Sequence, residues 1–172
     1  MYLRDLNVDG ISVQDGRRIE VAVNGLPVYH GKQVIIDSTL VSPLRADGRP
    51  RPRADVQPGI ALKDAKRNKL RTYPEIVASG RCHLLVASTE TGGRWDDEAY
   101  KFLVCLAKAK ARTSPATLRS ALTNAWLRRW TGMIAFANQN AFASSLVEDT
   151  PGATLSTDGV APDWGVLLDG AD

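Results

Sequence analysis

The stretch KQVIIDSTLVS, Lys32–Ser42, decides how this chain is read. Val34, Ile35 and Ile36 form a β-branched apolar run, the pattern of a strand buried on both faces. Asp37 closes the run. An acid at that point either caps a turn or is held at a working site. Upstream, RIEVAV at Arg18–Val23 alternates, with Ile19, Val21 and Val23 on one face and Arg18, Glu20 and Ala22 on the other. Asn24-Gly25 between the two strands is a tight-turn signal, and Leu26–Gly31 continues the connection. Pro43 ends the second strand because it cannot donate to a ladder. Two neighbouring strands therefore each carry one carboxylate, Glu20 and Asp37.

Downstream, residues 43–58 hold four prolines among alternating arginines and are expected to be an extended, exposed, mobile loop. Gly59–Thr72 has good helix formers throughout, and Tyr73-Pro74 stops it. At about 100° per residue, Ala61, Leu62 and Ala65 share one arc, and Lys69 falls inside it. Lys63, Arg67 and Arg71 lie opposite. Burying an ammonium is costly unless it is paired. Lys69 either snorkels along its stem to water or turns inward to meet carboxylates and a phosphate. RCHLLVAS, Arg81–Ser88, reads as a third strand, and a helix runs from Asp96 or Asp97 to about Arg112 with acids first and bases last. Ser114-Pro115 opens a helix to Trp130, and a further stretch after Gly132 reaches Leu146, as one kinked helix or two. Val8–Val13 is a further candidate strand. Arg128, Arg129 and Trp130 suit stacking or pairing with nucleic acid, but Trp126 and Trp130, four apart, are expected in the core.

The totals bound the function classes. A chain of 172 residues can bury a full core as one domain, and 44% apolar with 24% charged residues is ordinary for a globular protein. No apolar run approaches the ~20 residues a membrane span needs, so no membrane partner is expected. Residues 1–15 show no secretory signal. Two cysteines, Cys82 and Cys105, are expected to be buried and reduced in an intracellular protein, and without a CxxC a structural zinc site is not expected. The net charge of +3 is uneven: residues 148–172 contribute −6 and residues 1–147 carry +9. Residues 45–71 alone hold nine bases against three acids. Such a block suggests a polyanion partner, with Arg45, Arg49, Arg51, Arg53, Lys66 and Arg67 as nucleic-acid contacts; the alternative is a solvated loop and helix face.

The element order predicts an α/β layered domain over residues 1–147, with a short mixed sheet flanked by helices and extra C-terminal helices. Residues 148–172 are expected to be a disordered acidic tail in which Trp164–Leu168 is a docking patch. Glu20, Asp37 and Lys69 are the candidate site. Two carboxylates suit a divalent metal, and a lysine suits the charge of a phosphoryl transition state, which points to metal-assisted phosphodiester cleavage. Glu90 is either a further ligand or a turn acid, and His30 reads as a loop histidine. No glycine-rich phosphate loop, nucleophile elbow or dinucleotide fingerprint is present.

The runs RIEVAV, VIIDST, AKRNKLRTY and CHLLVASTETGGRW resemble, in that order, the restriction-like endonuclease domain at the C-terminus of site-specific non-LTR retrotransposon polyproteins. That domain belongs to the PD-(D/E)XK nuclease class. The resemblance covers about residues 17–100 and implies a restriction-endonuclease-like fold. It puts Ile19-Glu20 in place of the family's PD pair, Asp37-Ser38-Thr39 in place of the second acid and its strand, Lys69 as the helix-borne lysine and Tyr73 as the tyrosine after it. Gly93-Arg94-Trp95 resembles the loop before the next helix. The chain departs from the pattern in having Glu after Ile, Thr39 where the wider class has its lysine, and Thr72 where the family has a second lysine. The resemblance implies Glu20, Asp37, Lys69 and Tyr73 as the catalytic set and Mg²⁺ or Mn²⁺ on Glu20 and Asp37. It also implies a DNA substrate, the element's own RNA as a further partner, a longer polyprotein and a nuclear setting. Three functions are expected to compete: a metal-dependent endonuclease nicking target DNA for retroelement insertion, a catalytically degraded nucleic-acid-binding module, and a non-enzymatic interaction domain using the C-terminal helices.

Overall fold

The computed structural model describes residues 1–6 and 8–148. The chain divides into two units, Met1–Gln139 and Asn140–Asp172. In the first, β1 (Val21–Val23), β2 (Gln33–Val41) and β3 (Cys82–Glu90) form a sheet in the order β1-β2-β3. β1 runs antiparallel and β3 parallel to β2, so the sheet is mixed. An antiparallel neighbour needs only a short connection, whereas a parallel one needs a crossover. That crossover carries α1 (Ile60–Thr72) and α2 (Pro74–Ala78). α3 (Asp97–Ala111) and α4 (Arg119–Glu148) follow. The described part of the second unit, residues 140–148, is helical.

Alternation along β2 and β3 splits the core into two layers. One face sets Ile35, Leu84 and Val86 against Tyr73 and Ile76, joined by Leu3, Leu6 and Ile19. The other sets Val34 and Leu85 against Phe102 of α3. Ile35, Val34 and Ile76 are fully sealed from solvent. Each such side chain contributes roughly 1.5–3 kcal/mol relative to an exposed one. The apolar run in β2 is thus what both layers are built on.

Several expectations need correction. Of Arg18–Val23 only the last three residues join β2. Arg18 bridges Tyr2, Leu3 N–H donates to Arg17 O (2.8 Å) and Ile19 N–H to Met1 O (3.0 Å), so the first half pairs with the N-terminal segment. The chain bends at Glu20, which separates buried Ile19 from Val21, 45% exposed. The expected common face is therefore broken by the change of partner. Val8–Val13 is not a strand; Val8 packs in the core and turns follow. β3 runs on to Glu90 because Leu40 and Val41 continue the register with Thr89 and Glu90. Residues 43–58 fold back on themselves: Arg45 N–H donates to Arg49 O (2.8 Å) and Arg51 N–H to Pro43 O (2.8 Å). Cys82 is buried, but Cys105 is exposed on α3. After Pro115 a short 3₁₀ turn precedes α4, which continues through Gly132 without a break. The expected tail beyond residue 148, with its Trp164–Leu168 patch, lies outside the described residues.

α1 starts at Gly59, whose φ of 75° is freely available to glycine. It ends at Tyr73, and Pro74 opens α2, where its missing N–H is no loss. Asp96 caps α3, accepting from the N–H groups of Glu98 (3.0 Å) and Ala99 (3.3 Å). Among the described residues no helix is long and apolar enough to cross a membrane.

Candidate active site at Asp37

The structure brings Glu20, Asp37, Lys69 and Tyr73 together on the α1 side of the sheet. Asp37 follows Ile35 on that face and its side chain is only 6% exposed. Lys69 reaches it from the last turn of α1, with Nζ 2.9 Å from Oδ2. This contact is an ion pair without an aligned hydrogen bond, since Oδ2 has no hydrogen-bond partner among the described residues. Lys69 thus turns inward and does not snorkel away. Lys69 lies two turns after buried Leu62, which puts it on the sheet-facing side of α1.

Tyr73 sits where α1 gives way to α2. Its O–H donates to Arg18 O at 3.0 Å and lies within reach of Asp37. Burial, the Asp37 charge and that contact push the phenol up to about 12. Glu20 accepts from Ser38 N–H through Oε2 at 2.9 Å. Glu20 stands at the bend just before the Val21–Ile36 pair that ends the β1–β2 ladder, and this contact ties it to the residue after Asp37. Glu20 itself is exposed. The same sheet face carries another buried polar atom without a hydrogen bond, Ser88 Oγ, in a residue fully sealed from solvent.

Arg17, which sequence reasoning missed, braces the site. Its guanidinium pairs with Asp15 (2.6 Å) and Glu75 (2.8 Å) and donates to Thr72 O. It also lies 5.8 Å from the Tyr73 ring centre. Those carboxylate hydrogen bonds raise its own pKa, and Arg17 in turn holds Asp15 and Glu75 below their usual range. No local pattern marks Arg17, because two of its partners lie more than fifty residues away.

A second polar cluster straddles β3. Glu98 accepts from Lys66 (2.7 Å) and meets His83 Nε2 (2.7 Å), with Asp96 3.6 Å from Lys66. Burial raises the Glu98 pKa, but the bonds from Lys66 and His83 outweigh it and hold the carboxyl below its usual range. Tyr29 stacks on His83 with ring centres 3.6 Å apart. Tyr29, His30 and Gly31 all take left-handed φ, which costs the first two on the order of 1 kcal/mol each. The Tyr29 stack helps hold that turn. His30 is exposed in it, away from the Asp37 cluster.

The expected nucleic-acid contacts divide. Arg45, Arg49 and Arg53 are exposed on the loop that leaves the C-terminal end of β2. Arg51 donates to Ser42 O at 2.8 Å and orders that loop. Lys66 is drawn to Glu98, and Arg67 pairs with Asp64. Glu90 is buried, pairs with Arg94 at 3.1 Å and closes the turn through its own N–H to Arg94 O (2.8 Å). A concavity of about 590 Å³ between Asp9 and Pro74–Arg81 holds none of the four clustered residues. No protein-family description, curated protein or solved structure matches the chain.

Proposed function

We propose that this chain is a metal-dependent phosphodiester hydrolase that nicks DNA, on a restriction-endonuclease-like version of the layered fold. The observation that carries the reading is the 2.9 Å approach of the Lys69 ammonium to the buried Asp37 carboxylate, with Glu20 and Tyr73 beside it. The segment resemblance over residues 17–100 supports the same assignment and makes the DNA a retroelement insertion target in a nuclear setting.

Asp37 and Glu20 fit a hard divalent cation such as Mg²⁺ or Mn²⁺. Asp37 Oδ2 is a shielded anionic oxygen without a hydrogen bond, and Glu20 brings a second carboxylate to the neighbouring strand. Mg²⁺ takes one or two carboxylates and keeps water and phosphate oxygens, so a sparse set suffices. Among the described residues no cluster of three or more acids, histidines or cysteines forms a denser metal site. A bound cation supplies polarisation of a phosphoryl oxygen and a lower pKa for a coordinated water.

The chain's own residues do the rest. Lys69 holds a fixed positive charge where a phosphate would approach, a charge that counts for more beside a buried wall. Tyr73 anchors the end of α1 to the Arg18 carbonyl, two residues before Glu20 in the chain. Arg17 fixes the end of α1 and so the position of both. Arg45, Arg49 and Arg53 are free to meet backbone phosphates, which set register without reading sequence. Those arginines equally favour a binding module without cleavage as a second reading.

The test is nicking of supercoiled plasmid with Mg²⁺. Asp37→Ala and Lys69→Ala should each lose roughly 100-fold or more in rate, while folding is checked by circular dichroism. Persistent Mg²⁺-dependent nicking by Asp37→Ala would remove the assignment. Tight DNA binding by the unaltered chain with no cleavage in Mg²⁺ or Mn²⁺ selects the second reading.

A further inference from the structure

A long stretch of one-signed charge lies outside the Asp37 site. Residues 99–139 contain seven Lys or Arg and no Asp or Glu. Six of the seven are exposed and Arg129 is half-buried. None forms an ion pair among the described residues, whereas Lys66, Arg67 and Lys69 of the 45–71 block are all paired. Two of them, Lys110 and Arg129, lie against Trp126, so the strip around that ring is suited to a polyanion.

Aromatic rings are set among those cations. Trp126 and Trp130 of α4 are half-buried, with ring centres 5.7 Å apart. Lys110 Nζ lies 5.4 Å and Arg129 Cζ 5.8 Å from the Trp126 ring centre. Trp130 also walls an apolar cleft of about 190 Å³ shared with Leu103, Leu106, Met133 and Ile134. This strip is on the α3 side of the sheet, where Phe102 covers Val34 and Leu85. Asp37 is on the other side, with Ile35.

The geometry points to a second site on the α3–α4 surface, centred on Trp126 and Trp130, that binds single-stranded nucleic acid. Phosphates meet the unpaired cations, and unstacked bases lie against the indoles and the apolar cleft, the combination that single strands require. A duplex keeps its bases stacked on one another and offers the indoles no face. The site is independent of cleavage at Asp37. Single-stranded DNA and RNA share this chemistry, and the two are separated below by probe.

The test is fluorescence anisotropy of labelled oligo(dT) and oligo(U) on the full chain over a salt series, with a duplex of equal length for comparison. Both single strands should bind more tightly than the duplex, and the tighter of the two names the preferred source. Trp126→Ala should weaken binding roughly tenfold, within the range for losing one stacked base, and Trp126→Phe should retain most of it. Lys110→Gln should lower the salt slope by about 0.7. Equal affinity for duplex, or unchanged affinity in a folded Trp126→Ala, overturns the inference. Plasmid nicking without single-strand binding also overturns it and leaves the cleavage reading standing. Single-strand binding without nicking does the reverse.

Discussion

Replacing Lys69 by methionine keeps the stem and removes the ammonium, leaving Asp37 alone in a place where its side chain is 6% exposed. Breaking a fully buried pair costs about 3–5 kcal/mol, and an exposed one about 0–1. Here one partner is sealed and the other is 30% exposed, so the loss should fall between, at about 2–3 kcal/mol. Asp37→Asn leaves an ammonium that can swing into water and should cost less, about 1 kcal/mol. In the double variant neither charge is stranded, so its loss should be smaller than the sum by about 1–2 kcal/mol. Urea unfolding of the four proteins at neutral pH measures this directly, provided the m-values agree. Additivity within about 0.5 kcal/mol would mean that the two side chains do not meet, and the site as described would not exist.

Three other outcomes follow from the same geometry. Glu98 has a folded pKa below its ordinary 4.5, so its contribution to stability is full above that value and disappears as pH falls through the folded one. Glu98→Gln should flatten the acid side of the stability–pH curve, and an unchanged slope in urea melts across that window would contradict the cluster. Tyr73 keeps its proton to about 12 against an ordinary 10.0, so its contribution falls as pH rises between those values; phenolate absorbance should show the late-titrating group move to lower pH in Asp37→Asn, and no movement would separate the two side chains. Ile35→Ala empties a fully buried position and should cost about 2–5 kcal/mol in thermal or urea unfolding, whereas a loss below about 1 kcal/mol would place Ile35 outside the core.

Much of the layered framework was legible because each main element carries its own period. The β-branched run of Val34–Ile36 marked β2, and the Tyr73-Pro74 step marked the end of α1. The helical wheel singled out Lys69 as the charge on the apolar side, and the structure does turn it toward Asp37. What failed was anything that depended on a distant partner. RIEVAV alternates as a strand should, yet its first half pairs with the chain's own beginning, and no local pattern reveals a change of partner at Glu20. The bases of residues 45–71 looked like one basic surface, but Glu98 and Asp64 claim Lys66 and Arg67. Arg17 went unnoticed because Thr72 and Glu75, which give it its position, come from the far side of the crossover. The charge asymmetry of residues 99–139 was present in the composition throughout. Its meaning depends on tertiary structure, which sets Lys110 and Arg129 against the Trp126 indole.

The proposed hydrolase requires that Asp37 and Glu20 together hold a divalent cation. Electron paramagnetic resonance of added Mn²⁺ measures that without relying on turnover. Mn²⁺ binding should be lost in Asp37→Asn, weakened in Glu20→Gln and unchanged in Glu98→Gln. Binding that survives Asp37→Asn undiminished, or that depends on Glu98 in place of Asp37, would contradict it.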